Sequence, residues 1–349
     1  MRRRPWTVGG WARRCLPVAL CLALMGGLCA AAGGKERYSI WQDYAARFIT
    51  EDGRVVDTGN GDVSHTEGQG WAMLLAEAFN DRARFDTLWS WTEEHLDVLD
   101  GGLLAWRYQP EQTPPVQDLN NASDGDLLIA WALHRAADKW REPDYERRSV
   151  RLRQAIRRHL VREYAGYTVL LPARQGFEHE GYVTLNLSYW VMPALREFAR
   201  DDPAGPWERL RLDGERLLRA ARFGAHDLPP DWLVLTDSGE LRLSDDWPPR
   251  FGFEAIRVPL YMSWAGRGDD EGLDAVRAYW QSPVGGRPPA WVGLAGGDNA
   301  DYPLSRGGRA VRSLLLGLPG KMPEQIRPED DYYSASLLIL SWLAAFLPE

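Results

Sequence analysis

Five apolar, helix-like segments each open on a polar residue, and their spacing is the strongest constraint on the fold. Glu67, Asp124, Asn186, Glu254 and Asp331 stand at these starts, separated by 57, 62, 68 and 77 residues. Apolar residues at i, i+3 and i+4 predict helices over 38–49, 71–79, 85–96, 126–140, 145–164, 187–199, 207–223, 253–266, 270–282 and 332–347. From 71–79 to 270–282, successive segments pair as hairpins in which one helix is more apolar than its partner. That is the signature of one helical hairpin repeated with loops of varied length. In a ring of such hairpins the apolar helices form the inner layer and run parallel. Their polar starts then gather at one mouth. The expected class is all-α, with short strands near 167–173 and 232–244, where alternation and turn residues occur.

The start of the chain reads differently. A basic stretch with five arginines precedes "CLPVALCLALMGGLC" and a small-residue zone, "AAAGG". This predicts a secretory signal peptide over residues 1–32 and a single domain over 35–349. The apolar run is too short for a comfortable membrane span, so no stable membrane insertion of the mature chain is expected. A periplasmic or secreted location follows. Cys15, Cys21 and Cys29 all lie in this segment, so no disulfide staples the remainder. Without the first 34 residues, 36 Lys+Arg stand against 49 Asp+Glu, a formal charge of −13. Such a balance argues against nucleic acid and against a polyanionic substrate, leaving a neutral or cationic polymer open. Fifteen of the 17 tryptophans follow residue 34. Tryptophan suits sugar faces but fills helical cores more often.

The candidate chemistry is carboxylate chemistry. In "SHTEGQGWAML" (64–74), Ser64 and Glu67 have the spacing of a capping box. That does not account for Gly68 and Gly70, each costing about 1 kcal/mol against Ala inside a helix. A substrate passing close over the backbone would account for them. Asp124 and Asp126, in "NNASDGDLLIAWAL", also suit a helix start, through capping and the helix dipole. Glu254 lies among apolar residues in "RFGFEAIRVPLYMSW", with Arg257 placed to pair with it and Pro259 implying a late helix start or a kink. The six histidines have no metal-ligand spacing, so no metal or cofactor is expected. There is no cysteine nucleophile, G-x-S-x-G elbow or phosphate-binding loop. Two carboxyl groups amid tryptophans match the needs of glycoside hydrolysis.

"TEGQGWAM", "NASDGDLLIAWAL" and "FEAIRVPLY", in this order, resemble glycoside hydrolase family 8, and in particular its secreted endoglucanases associated with bacterial cellulose synthesis. The likeness extends through "DLPPDWL" to "DDYYSASLLILSWL". It implies an (α/α)6 barrel and an inverting endo-β-1,4-glucanase acting on a β-1,4-glucan chain, with possible association with cellulose synthase machinery. By the resemblance Glu67 is the general acid. Asp124 holds the sugar beside the scissile bond, Trp106 stacks on a glucosyl ring, Tyr189 lies near the attacking water, and Arg257 lies beside the base. The family carries Asp as general base where this chain has Glu254, one methylene longer. Inversion needs about 6.5–9.5 Å between the carboxyls. A helix start lowers a carboxyl's pKa, so Glu67 is expected to act as an acid mainly in the loaded cleft. Two other readings stay open: a glucan-binding barrel with weak or no catalysis, and a family relative acting on chitosan or xylan.

Overall fold

The computed structural model describes residues 39–282, 287–318, 320, 322 and 325–346; the signal-peptide expectation for 1–32 lies outside them. Eleven α-helices are described in chain order: α1 (39–48), α2 (Thr66–Ala78), α3 (Arg82–Leu96), α4 (Ser123–Trp140), α5 (Pro143–His159), α6 (Met192–Asp201), α7 (Trp207–Ala220), α8 (Arg257–Trp264), α9 (Asp274–Gln281), α10 (Arg306–Leu315) and α11 (Tyr332–Phe346). Contacts run from α2 to α4, α6, α8, α10 and α11, and α11 returns to α2, closing an inner ring. α3, α5 and α7 pack outside their hairpin partners. This is the (α/α)6 arrangement. No described helix is long and apolar enough to cross a membrane.

Inner and outer helices differ as the sequence pattern requires. α11 is apolar almost all round and buried from Tyr332 to Leu343 apart from Tyr333 and Trp342, whereas α5 buries one stripe through Tyr145, Leu152, Ala155 and Ile156. Eight of the fifteen tryptophans after residue 34 are buried in the core, Trp71, Trp131 and Trp190 among them. α10 is hard to read from apolar spacing because its buried face is built largely of small residues, Gly307, Gly308, Ala310 and Ser313, beside Val311 and Leu315. Ser305 nevertheless caps it by accepting from the Gly308 N–H at 3.1 Å. Gly307 is required: a Cβ there would lie 2.1 Å from the Ser334 carbonyl oxygen of α11.

Several boundaries differ from expectation. "VREY" leaves the predicted 145–164 helix and forms strand β3 (Val161–Tyr164), paired antiparallel with β4 (Tyr167–Leu170). The 187–199 segment splits into a 3-10 turn, Leu187–Tyr189, and α6, because Pro193 fits only in a first turn. α8 starts at Arg257, placing Pro259 in its first turn and Glu254 in the turn before it. The late-start alternative is therefore the one realised.

The remaining strands build walls around the helix starts. β1 (Ser64–His65) pairs with β2 (Arg107–Tyr108), Ser64 opposite Tyr108. β5 (Glu178–His179), β6 (Tyr182–Leu185), β7 (Leu233–Thr236) and β8 (Leu241–Leu243) form an antiparallel sheet in that order. β9 (Arg250–Phe251) pairs with β10 (Val292–Gly293). β6 delivers Asn186–Tyr189, and the residue pair before β7 is Asp231–Trp232.

Candidate active site

The start of α2 is not a capping box. Ser64 is held in β1, and His65 is the N-cap: its Nδ1 accepts from the Gly68 N–H at 3.1 Å. Glu67 is the second helical residue, so its carboxyl is free of the cap. The two glycines also have another cause. A Cβ on Gly68 would sit 2.5 Å from the Tyr332 hydroxyl oxygen, and one on Gly70 would sit 2.6 Å from Leu128 Cβ. They permit close packing of α2 on α11 and α4, which replaces the expectation of clearance for a substrate.

Four of the five polar helix starts meet around one side chain. Arg257, 4 % exposed, projects from the first residue of α8. Its Nη1 contacts Glu67 Oε1 and reaches Asp124 Oδ2 at 3.3 Å. Its Nη2 contacts Glu254 Oε2 and donates to Ser188 Oγ at 3.0 Å. Asn186 Nδ2 donates to Glu254 Oε2 at 3.0 Å, and Asn186 Oδ1 accepts from the Ser188 hydroxyl at 2.7 Å. Asp331, the fifth start, caps α11 by accepting from the Ser334 N–H at 2.7 Å and is exposed. The guanidinium stands over the Tyr189 ring, 5.7 Å from its centroid.

One cation faces three carboxylates, so full ionisation would leave excess negative charge in a largely buried site. Proton uptake relieves it. Burial pushes Asp124 up to about 6. Glu254 is walled by protein but keeps 30 % of its side chain open through the cleft. Its carboxyl is pushed up to about 8, first by loss of water and then by the negative Asp231 and Asp124. Burial, then Asp124 and Glu254, hold the Tyr189 phenol well above its usual range, so it stays protonated. Asp126 faces away from this group. It accepts from the Leu104 N–H at 3.0 Å and from Asn121 Nδ2 at 2.8 Å, and burial raises it to about 7.

Trp106 adjoins the Glu67 turn through its backbone, whose carbonyl accepts from the Thr66 N–H at 3.0 Å. Its indole donates to Asp118 Oδ2 at 2.8 Å, and Arg107 lies over its ring. A carboxylate acceptor for the indole N–H and a stacked guanidinium fix the plane of a half-exposed ring. On the other side, Trp232 meets the edge of Tyr189 and stacks on Trp247 with centroids 4.3 Å apart.

The clearest omission of the sequence reading is Asp231. Buried at 2 % exposure, its Oδ1 accepts the N–H groups of Gly252 and Ala255 at 2.8 Å and of Glu254 at 3.2 Å. Its Oδ2 accepts Arg250 Nε at 3.1 Å. One carboxylate thus shapes the turn that presents Glu254. Ser188, equally unmarked in the sequence, joins Asn186 Oδ1 to Arg257 Nη2. His134, Glu146 and Asp201 also cluster, but Arg153 already lies between the two acids, bonded to both.

A family model, "Glycosyl hydrolases family 8", matches residues 14–345. The chain belongs to glycosyl hydrolase family 8. This family 8 chain is 42 % identical to an endoglucanase of Cellulomonas uda over 283 residues, covering 80 % of this chain and 77 % of that one. It is 40 % identical to a probable endoglucanase of Novacetimonas hansenii over 307 residues, covering 87 % and 89 %. Among solved structures, a family 8 endoglucanase of Klebsiella pneumoniae superposes with a TM-score of 0.84 at 45 % identity, covering 88 % of this chain and 98 % of that chain.

Proposed function

We propose that this family 8 hydrolase is an endo-β-1,4-glucanase that cleaves internal bonds of cellulose with inversion, Glu67 acting as general acid and Glu254 as general base. The observation that carries this is the meeting of Glu67, Asp124 and Glu254 on Arg257, beside Tyr189 and with Trp106 abutting the turn before Glu67. The endoglucanase relatives supply the substrate class. Residues 35–349 act as one catalytic unit, exported to the periplasm or beyond after loss of the leader, where the enzyme trims cellulose as it is made.

In this mechanism water attacks C1 from the face opposite the leaving oxygen. Glu254 takes the water proton, Glu67 delivers its own to the departing O4, and the glycosidic C–O bond breaks. The products are a hemiacetal of inverted configuration and a new 4-hydroxyl. Arg257 limits the repulsion among three carboxylates. It holds Glu67 through Nη1 and Glu254 through Nη2, so both carboxyls share one guanidinium. Asn186 orients the Glu254 carboxyl. Tyr189, kept protonated, offers a neutral hydroxyl near the base. Asp124 is placed to hold a sugar hydroxyl, and Trp106 offers its ring to a glucosyl face.

Carboxymethylcellulose hydrolysis by Glu67→Gln tests the acid. Loss of at least about 10²-fold is expected for a general acid, and near wild-type turnover would overturn the assignment. Reducing-sugar assays on xylan and chitosan in parallel test the substrate class.

A further inference from the structure

The turn of helix that carries Glu67 has its own support, and it is an imidazole rather than the serine expected there. His65 Nδ1 accepts from the Gly68 N–H, so in the neutral ring the hydrogen resides on Nε2. That nitrogen faces Asp57 Oδ2 at 3.3 Å, and Asp57 Oδ1 accepts from the Gly59 N–H at 3.1 Å. The side chains of His65 and Asp57 are only 15 % and 13 % exposed. The edge of Tyr332 packs on the imidazole, with ring centroids 5.7 Å apart. The backbone of His65 is pinned in β1 opposite Arg107. Every part of the His65 side chain is therefore held, and the residue it caps flanks Glu67.

We propose that His65 is a positioning residue for the proton-donating carboxyl. As the Nε2–H tautomer, locked by Asp57, it fixes the first turn of α2 and thereby the direction of Glu67. A serine or aspartate cap would satisfy the same N–H group, but could not link it to a second loop. The inference rests on Glu67 being the acid.

The test compares His65→Ala and His65→Asn on two substrates, cellopentaose and 2,4-dinitrophenyl β-cellobioside, whose leaving group departs without a proton. For His65→Ala, kcat on cellopentaose should fall on the order of tenfold or more, as misplacement of a catalytic group does. KM should be little changed, and kcat on the dinitrophenyl substrate should fall far less. His65→Asn, which keeps a capping acceptor, should recover much of the loss. A parallel loss on both substrates in both variants, or wild-type kcat in His65→Ala, overturns the proposal. Glu67→Gln measured alongside separates the causes. If it is inactive on cellopentaose, a normal His65→Ala refutes His65 alone; if it is active, the acid assignment falls and this inference with it.

Discussion

Replacing Asp231 by Ala should damage both the stability and the chemistry of this family 8 chain. The carboxylate accepts three backbone N–H groups, of Gly252, Glu254 and Ala255, and pairs with Arg250. The Gly252 and Ala255 bonds are buried, and the Glu254 bond is partly open. An unsatisfied buried donor costs about 1–3 kcal/mol, so two such donors give about 2–6 kcal/mol. Burial raises the Asp231 pKa, which shows that holding its charge carries a cost that the substitution removes. A net loss of about 3 kcal/mol is the expected outcome, against about 1 kcal/mol for Asp231→Asn, which keeps an acceptor. Urea unfolding followed by tryptophan fluorescence measures it. The freed turn also lets Glu254 drift, and a shift of about 1 Å in a catalytic group costs on the order of 10²-fold in rate. Initial rates on cellopentaose at low temperature, where the variant is still folded, read that part. A loss under about 0.5 kcal/mol in stability with unchanged kcat would refute the idea that Asp231 organises the base.

Two further outcomes follow from the same geometry. Gly70→Ala should destabilise by up to about 2 kcal/mol, the 1–3 kcal/mol of overpacking against Leu128 being offset by about 1 kcal/mol of better helix propensity, with KM unchanged; a raised KM would restore the role of substrate clearance. Glu254 must be ionised to accept a proton and is raised to about 8, so the ascending limb of kcat/KM against pH should lie well above the ordinary carboxylate range. The 30 % of the side chain open to solvent lets water and salt temper that shift, and an ascending limb near pH 4 would contradict it.

The ring of hairpins was legible because burial imposes a 3.6-residue period on each helix, and the mouth was legible because inner helices must start on something polar. Glu67, Asp124, Asn186 and Glu254 met as that pattern required. Asp331 did not join them, since an N-cap role satisfies it locally. Three features needed coordinates. Ser64 had capping-box spacing, but pairing with β2 withdrew it and left the cap to His65. Gly68 and Gly70 were explained by neighbours distant in sequence, Tyr332 and Leu128. Asp231 lies 23 residues before Glu254 and carries no local signal for the backbone groups it binds. Periodicity reports which face is buried and is silent on which distant backbone a buried carboxylate will serve.

The pairing of Glu67 and Glu254 as acid and base across an inverting cleft is tested most directly by proton NMR of the first product formed from cellohexaose. The α-anomer of the new reducing end should appear first and then mutarotate toward equilibrium. First appearance of the β-anomer would mean retention, with Glu254 attacking C1 itself, and would contradict the account.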